Sequence, residues 1–198
     1  MLKYNLNMKK ILPIMLIFYI SSIPSYGQVT GILPLNSVDL PNGAYVKDLG
    51  VQLPYYEGKW VGVLNDKKYT FEFVKFSQHL SQYELGGDYY YMDDLMGKFK
   101  VEDLSTGTVL YDNLSAVNYD DYNIFLASLR IEASFGYLDT INCLNSAGFY
   151  LSKLHANPDQ LRYNNFALNE YLAFNCPFAT QAEIPMFLPT SDLILTKM

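Results

Sequence analysis

Two histidines, two cysteines and three pairs of adjacent acids are the residues here whose types could carry chemistry. Nucleophilic catalysis needs a histidine within reach of a serine or cysteine. His79 stands in the polar stretch Ser77-Gln78-His79, and His155 stands just before Asn157-Pro158. Both read as surface or turn histidines. No His-x-x-x-His or Glu-x-x-His spacing points to zinc, so no metal is expected. Asp93-Asp94, Glu102-Asp103 and Asp120-Asp121 could run glycoside hydrolysis if held roughly 5–9 Å apart across a cleft. They could also bind calcium, but the spaced Asp-x-Asp-x-Asp ligand pattern is missing. Each pair sits beside turn residues or tyrosines and reads better as a solvated loop that keeps a sheet soluble. Gly86-Gly87-Asp88 breaks a loop; no helix or lysine follows in register to make it a phosphate cradle. The expectation is a protein with no catalytic residues and no cofactor.

The cysteines are better explained by location. Met8-Lys9-Lys10 is a short basic start, Ile11 to Ile20 is an apolar run, and Ser25-Tyr26-Gly27 supplies the small residues that a signal peptidase needs. The apolar run is too short to span a bilayer, which takes roughly 20 residues. Residues 1–27 therefore read as a cleaved signal peptide starting at Met8, and the exported chain as beginning at Gln28, secreted or periplasmic. In an oxidising compartment the default for Cys143 and Cys176 is a disulfide, closing a loop of 33 residues. Cleavage removes Lys3, Lys9 and Lys10 and no acid, which takes the net charge from −6 to −9. A chain this acidic repels phosphate backbones and anionic lipid surfaces, so neither nucleic acid nor membrane is an expected partner after cleavage.

What would position any site is a sheet. Residues 28–57 are rich in Pro, Asn and Gly and read as an irregular N-terminal arm, with a short helical turn near Val46 to Leu49. From Gly58 onward the pattern is strand, turn, strand. Trp60 to Leu64 and Lys68 to Phe76 flank a turn at Asn65-Asp66-Lys67, and Tyr69, Phe71 and Phe73 alternate with polar residues. Gly97 to Asp103 and Thr108 to Asp112 flank Ser105-Thr106-Gly107, with Phe99, Val101 and Tyr111 on apolar faces. Ile124 to Ala133 alternates with Phe125, Ala127, Leu129 and Ile131 on one side, although Asp120 to Leu129 also admits a helix. Tyr137 to Cys143, Phe149 to His155, Gln160 to Leu168, Glu170 to Asn175 and Asp192 to Lys197 complete the set. Sequential strands with short connections predict an all-β fold. The expected form is a single antiparallel barrel of about eight to ten strands over residues 58–198.

Several spaced motifs agree in order with one family. They are Leu33-Pro34-Leu35-Asn36, Leu40-Pro41-Asn42-Gly43-Ala44-Tyr45-Val46-Lys47-Asp48-Leu49, Tyr55-Tyr56-Glu57-Gly58-Lys59-Trp60, Asp94-Leu95-Met96-Gly97-Lys98, Gly107-Thr108-Val109-Leu110-Tyr111-Asp112 and Asp192-Leu193-Ile194-Leu195-Thr196-Lys197. On these the chain resembles a family of uncharacterised secreted bacterial proteins, a domain of unknown function, and the resemblance implies no activity. Gly58-Lys59-Trp60 also resembles the opening Gly-x-Trp of lipocalin-like barrels. That resemblance implies a tryptophan plugging the closed end under an arginine of the last strand; here the last strand offers Lys197.

The tyrosine runs Tyr55-Tyr56 and Tyr89-Tyr90-Tyr91 could pack at a rim, line a cavity or stack on sugars. A barrel of this strand number either fills with side chains or holds one ligand. The leading expectation is a non-catalytic module that binds a small apolar or amphipathic ligand. Trp60, Tyr69, Phe71, Phe73, Phe99, Val101 and Tyr111 are its cavity candidates. The alternative is a cell-surface or matrix module that engages polysaccharide or protein through exposed tyrosines.

Overall fold

The computed structural model describes residues 30–82, 87–169 and 176–198. The expected export signal, Gly86 and the strand expected over residues 170–175 lie outside them. Asn65 and Asp66 make the first hairpin turn, both at positive φ (49° and 59°). Two left-handed residues match the twist of the flanking strands, and Asn and Asp tolerate that conformation better than other side chains. In chain order the strands are β1 (Ile32–Pro34), β2 (Tyr45–Lys47), β3 (Gly58–Leu64), β4 (Lys67–Gln82), β5 (Tyr89–Asp103), β6 (Val109–Asp112), β7 (Ile124–Leu129), β8 (Ala133–Asp139), β9 (Asn145–Lys153), β10 (Gln160–Asn169) and β11 (Leu193–Lys197). No α-helix occurs among the described residues, so none there crosses a membrane.

Eight of these strands, β3, β4, β5, β7, β8, β9, β10 and β11, pair antiparallel in that order, and β11 returns to β3. The result is a closed up-and-down barrel with three short strands added. The two closing ladders are short: β5 meets β7 at Met96 and Gly97, and β11 meets β3 at Thr196 and Lys197. A glycine stands at each seam. A Cβ on Gly97 would lie 2.7 Å from the Phe73 ring, and one on Gly62 would lie 2.7 Å from the Ile194 carbonyl. Strands approach that closely only where the side chain is missing.

Several sequence-based expectations are corrected here. Ile124 to Ala133 is not one strand, nor does a helix form over Asp120 to Leu129. A bulge between Leu126 and Ser128 shifts the alternation, so Ile124 and Leu129 are buried while Phe125 is exposed. The chain then turns at Arg130–Glu132, where Ile131 is fully exposed, and β8 begins at Ala133. β8 ends at Asp139 because its carboxylate accepts the Ile141 and Asn142 N–H groups, turning the chain before Cys143. In the arm, Tyr45–Lys47 is a strand and not a helical turn, because β5 offers it an unpaired edge at Tyr91 and Met92. The single-turn 3₁₀ helix falls later, at Leu53–Tyr55.

Aromatic rings fill the interior. Phe71 lies 5.6 Å from Phe99, 6.0 Å from Tyr163 and 6.4 Å from Phe149, centroid to centroid. Phe149 in turn lies 4.7 Å from Tyr163 and 5.5 Å from Phe135. Both ends of the cylinder are covered. At one, Leu53 and Tyr56 of the arm join the core, and the Trp60 indole N–H donates to the Tyr56 carbonyl at 2.7 Å. At the other, Leu188 joins the core and Phe187 stacks on Tyr111 at 5.0 Å. The Cys143–Cys176 disulfide ties the segment that carries Leu188 to the β8–β9 turn.

Candidate functional site

The cavity candidates nominated from sequence all lie in this interior, where they touch one another. Trp60, Phe71, Phe73, Phe99 and Val101 are essentially inaccessible, Tyr69 is buried, and Tyr111 is half-buried between Phe99 and Phe187. Ring centroids 4.5–6.4 Å apart are in direct contact, the spacing of a filled core. Lys197 Nζ of the last strand sits 5.1 Å over the Trp60 ring. Burial pushes the Tyr56 and Tyr111 phenols up to about 12 and raises Tyr137 and Tyr163 further, so all stay neutral.

The open volume lies outside the barrel, at the seam. β4 occupies one edge of β5 along its length, whereas the other edge is divided among β2, β7 and β6. β7 leaves β5 after Phe125, and the arm enters the gap. Asn36, at φ 66°, reaches Leu129 with both ends of its amide: its Oδ1 accepts the Leu129 N–H at 3.2 Å and its Nδ2 donates to the Leu129 carbonyl. The side chain thus stands in for a missing strand residue. Beside it is a cleft of about 190 Å³, walled by Leu35, Leu40 and Val46 of the arm, Tyr90 and Met92 of β5, and Leu126 to Leu129 of β7. A second, more open cleft of about 450 Å³ shares Ser37, Leu40 and Tyr90 with it and continues to Val38, Asp88 and Tyr89. Tyr90 therefore stands in the middle of one groove that follows the arm loop.

Asp93 anchors the floor of this groove. Its carboxylate accepts the Tyr45 hydroxyl, the Asp48 N–H at 3.2 Å and the Gln78 N–H at 3.1 Å, and it lies 3.2 Å from Lys75 Nζ. Burial pushes the carboxyl up, but these donors outweigh it and hold Asp93 below the usual carboxylate range. On the arm side, burial and the Asp93 carboxylate push the Tyr45 phenol up to about 12.

Most of the remaining sequence-nominated groups are held by local partners, while Asp120 is exposed. Asp94 faces away from Asp93, because adjacent strand residues point to opposite faces. It accepts the Tyr119 hydroxyl under the loop that covers β5. Glu102 pairs with Lys100 at 2.9 Å and Lys68 at 3.7 Å, and Asp103 accepts the Ser105 and Thr106 N–H groups to shape a turn. Asp121 accepts from Asn118, and His79 stacks on Tyr119. His155 is exposed in the turn after β9. No cluster of three His, Cys, Asp or Glu side chains with metal-binding geometry occurs among the described residues. Tyr55 packs edge-on to Tyr56 with Lys153 Nζ 4.4 Å over its ring. Tyr89 meets Tyr91 edge-on at 6.0 Å, and Tyr90 is the member of that run that lines both parts of the groove.

Composition and alternation missed Asn36, Ser37, Leu40 and Met92, because a groove made by an arm crossing a seam has no local period. The available signal was Leu35-Asn36 followed by Asp39, two residue types that tolerate positive φ and do adopt it here (66° and 55°). No protein family, curated protein or solved structure matches this chain in the comparisons.

Proposed function

We propose that this is a non-catalytic extracytoplasmic binding protein that takes the apolar part of a small amphipathic ligand into the groove between the arm and the β5–β7 seam. The packed barrel then acts as a rigid scaffold. The observation that carries this reading is the groove itself. Its inner part is walled by Leu35, Leu40, Val46, Met92, Leu126 and Leu129, and Tyr90, Ser37 and Ser128 supply polar groups around it. Apolar walls with a few fixed polar groups suit a ligand with a short acyl or aromatic portion and a polar head. Non-catalytic behaviour is supported by the carboxylates of Asp93, Asp94, Glu102, Asp103 and Asp121, which are engaged in holding turns, the arm and neighbouring lysines. Extracytoplasmic location is supported by the disulfide and the leader-like residues 8–27.

The test is a titration of isotope-labelled protein with octanoate and with octyl glucoside, followed by amide chemical shifts. Shifts should concentrate at Ser37, Leu40, Tyr90 and Ala127, and Leu40→Glu should weaken binding at least tenfold. No shift at millimolar ligand, or shifts confined to residues elsewhere, would remove the groove from consideration.

A further inference from the structure

The outer face of the barrel at the β7–β8 turn and β9 carries a second groove, which meets the arm groove only at Ser128. It has a volume of about 400 Å³ and is lined by Ser128, Arg130, Ile131, Glu132 and Tyr150. Tyr150 alternates with the buried Phe149 and Leu151 and so points outward, with 38% of its surface exposed. Its cross-strand neighbours are Ser134 on β8 and Asn164 on β10, and Gly148 lies two residues along β9. Small neighbours leave the face low around the ring. Arg130 is exposed and has no ion-pair partner among the described residues.

Behind the ring a polar chain runs from β10 through β9 to the turn before β8. Asn164 Nδ2 donates to Ser152 Oγ at 2.7 Å, and the Ser152 hydroxyl donates to Glu132 Oε1. Asn164 is only 8% exposed, and its Oδ1 has no hydrogen-bond partner among the described residues. The part of this polar chain that reaches the groove is Glu132, whose carboxylate the Ser152 hydroxyl holds in place.

We propose that this groove is a subsite for a neutral sugar ring of a polysaccharide. An aromatic face exposed on a rigid strand accepts the C–H face of a pyranose, as it accepts other flat apolar surfaces. Arg130 only donates, the Glu132 carboxylate only accepts, and Ser128 does both, which matches hydroxyl groups that donate and accept together. A cation and a carboxylate in one groove offset each other, so a simple anion or cation is poorly matched, and the net charge of −6 disfavours phosphate-bearing ligands.

The experiment is affinity electrophoresis of the whole disulfide-bonded protein through gels containing dextran, galactomannan, mixed-linkage β-glucan or, as an acidic control, polygalacturonate. At least one neutral polysaccharide should retard the wild-type protein. Tyr150→Ala should reduce the apparent affinity at least tenfold with an unchanged Tm, Tyr150→Phe should keep it within about twofold, and Arg130→Ala should weaken it severalfold. Absence of retardation by every neutral polysaccharide, retardation by polygalacturonate alone, or equal retardation of Tyr150→Ala would each overturn the proposal. Leu40→Glu, in the arm groove, should leave the retardation unchanged; a loss there would also count against a site at Tyr150.

Discussion

Phe71→Ala separates a filled barrel from a ligand chamber. Phe71 is fully buried and sits against Phe73, Phe99, Phe149 and Tyr163, whose ring centroids lie 5.6–6.4 Å away. Truncating a core phenylalanine costs about 3–5 kcal/mol, as the lost transfer energy of the ring plus the cavity left behind. The upper part of that range applies here, because the neighbouring rings stand on strands of a closed sheet that cannot collapse into the gap. Taking about 4 kcal/mol, Tm should fall by roughly 8–16 °C for a domain of this size. With a urea m-value of about 2 kcal/mol/M, the midpoint should fall by about 2 M. Trp60, the single tryptophan and fully buried, reports the transition by fluorescence. Phe71→Leu should cost much less, about 1–2 kcal/mol, because it leaves a smaller void. If Phe71→Ala costs under about 1 kcal/mol, the ring lines an open lumen and the packed-core reasoning fails.

Three other perturbations follow from the same geometry. Asp93→Asn should destabilise by about 2–3 kcal/mol at neutral pH, since it removes a charge that holds Lys75 and two backbone N–H groups. In the wild type, the Asp93 contribution is fully present above the unfolded carboxyl value near 4 and is lost as pH falls through the lower folded value. Urea melts from pH 6 down to pH 2 should therefore show a wild-type loss below pH 4 that the variant lacks. Replacing Cys143 and Cys176 with serine should cost about 3–4 kcal/mol for the 33-residue loop, and it should raise proteolysis around Ile184 to Pro189; unchanged digestion would show that the loop is held without the disulfide. Gly62→Ala should lower Tm by several degrees, because its Cβ would meet the Ile194 carbonyl at 2.7 Å, a backbone atom of the closing strand. A neutral result at Gly62 would mean that the β3–β11 seam is looser than described.

Much of the β-sheet was legible because its cause is local. Tyr69, Phe71 and Phe73 alternate with Thr70 and Glu72, and a strand buried on one face requires that period. The Asn65-Asp66 turn was legible because those side chains tolerate the left-handed conformation that a two-residue hairpin needs. The inward set on β4 and β5 followed from the same alternation. The phase on β7 did not, because one bulge at Ala127 inverts it without any sign in composition. Nor did the role of the aromatic set: alternation says which residues face inward, and not whether the space they face is empty.

The linear order of residues by itself determined most of the barrel strands, the first hairpin turn, the inward set of β4 and β5 and a pair of cysteines suited to one disulfide, since each depends on neighbours within a few positions or on redox chemistry. Tertiary structure decided the rest. The arm entering where β7 parts from β5, Asn36 bridging to Leu129 across 93 positions, and the rings meeting at the centre of the cylinder all join segments far apart in sequence. Distances of that kind are set by how a sheet closes on itself, and no local pattern records them.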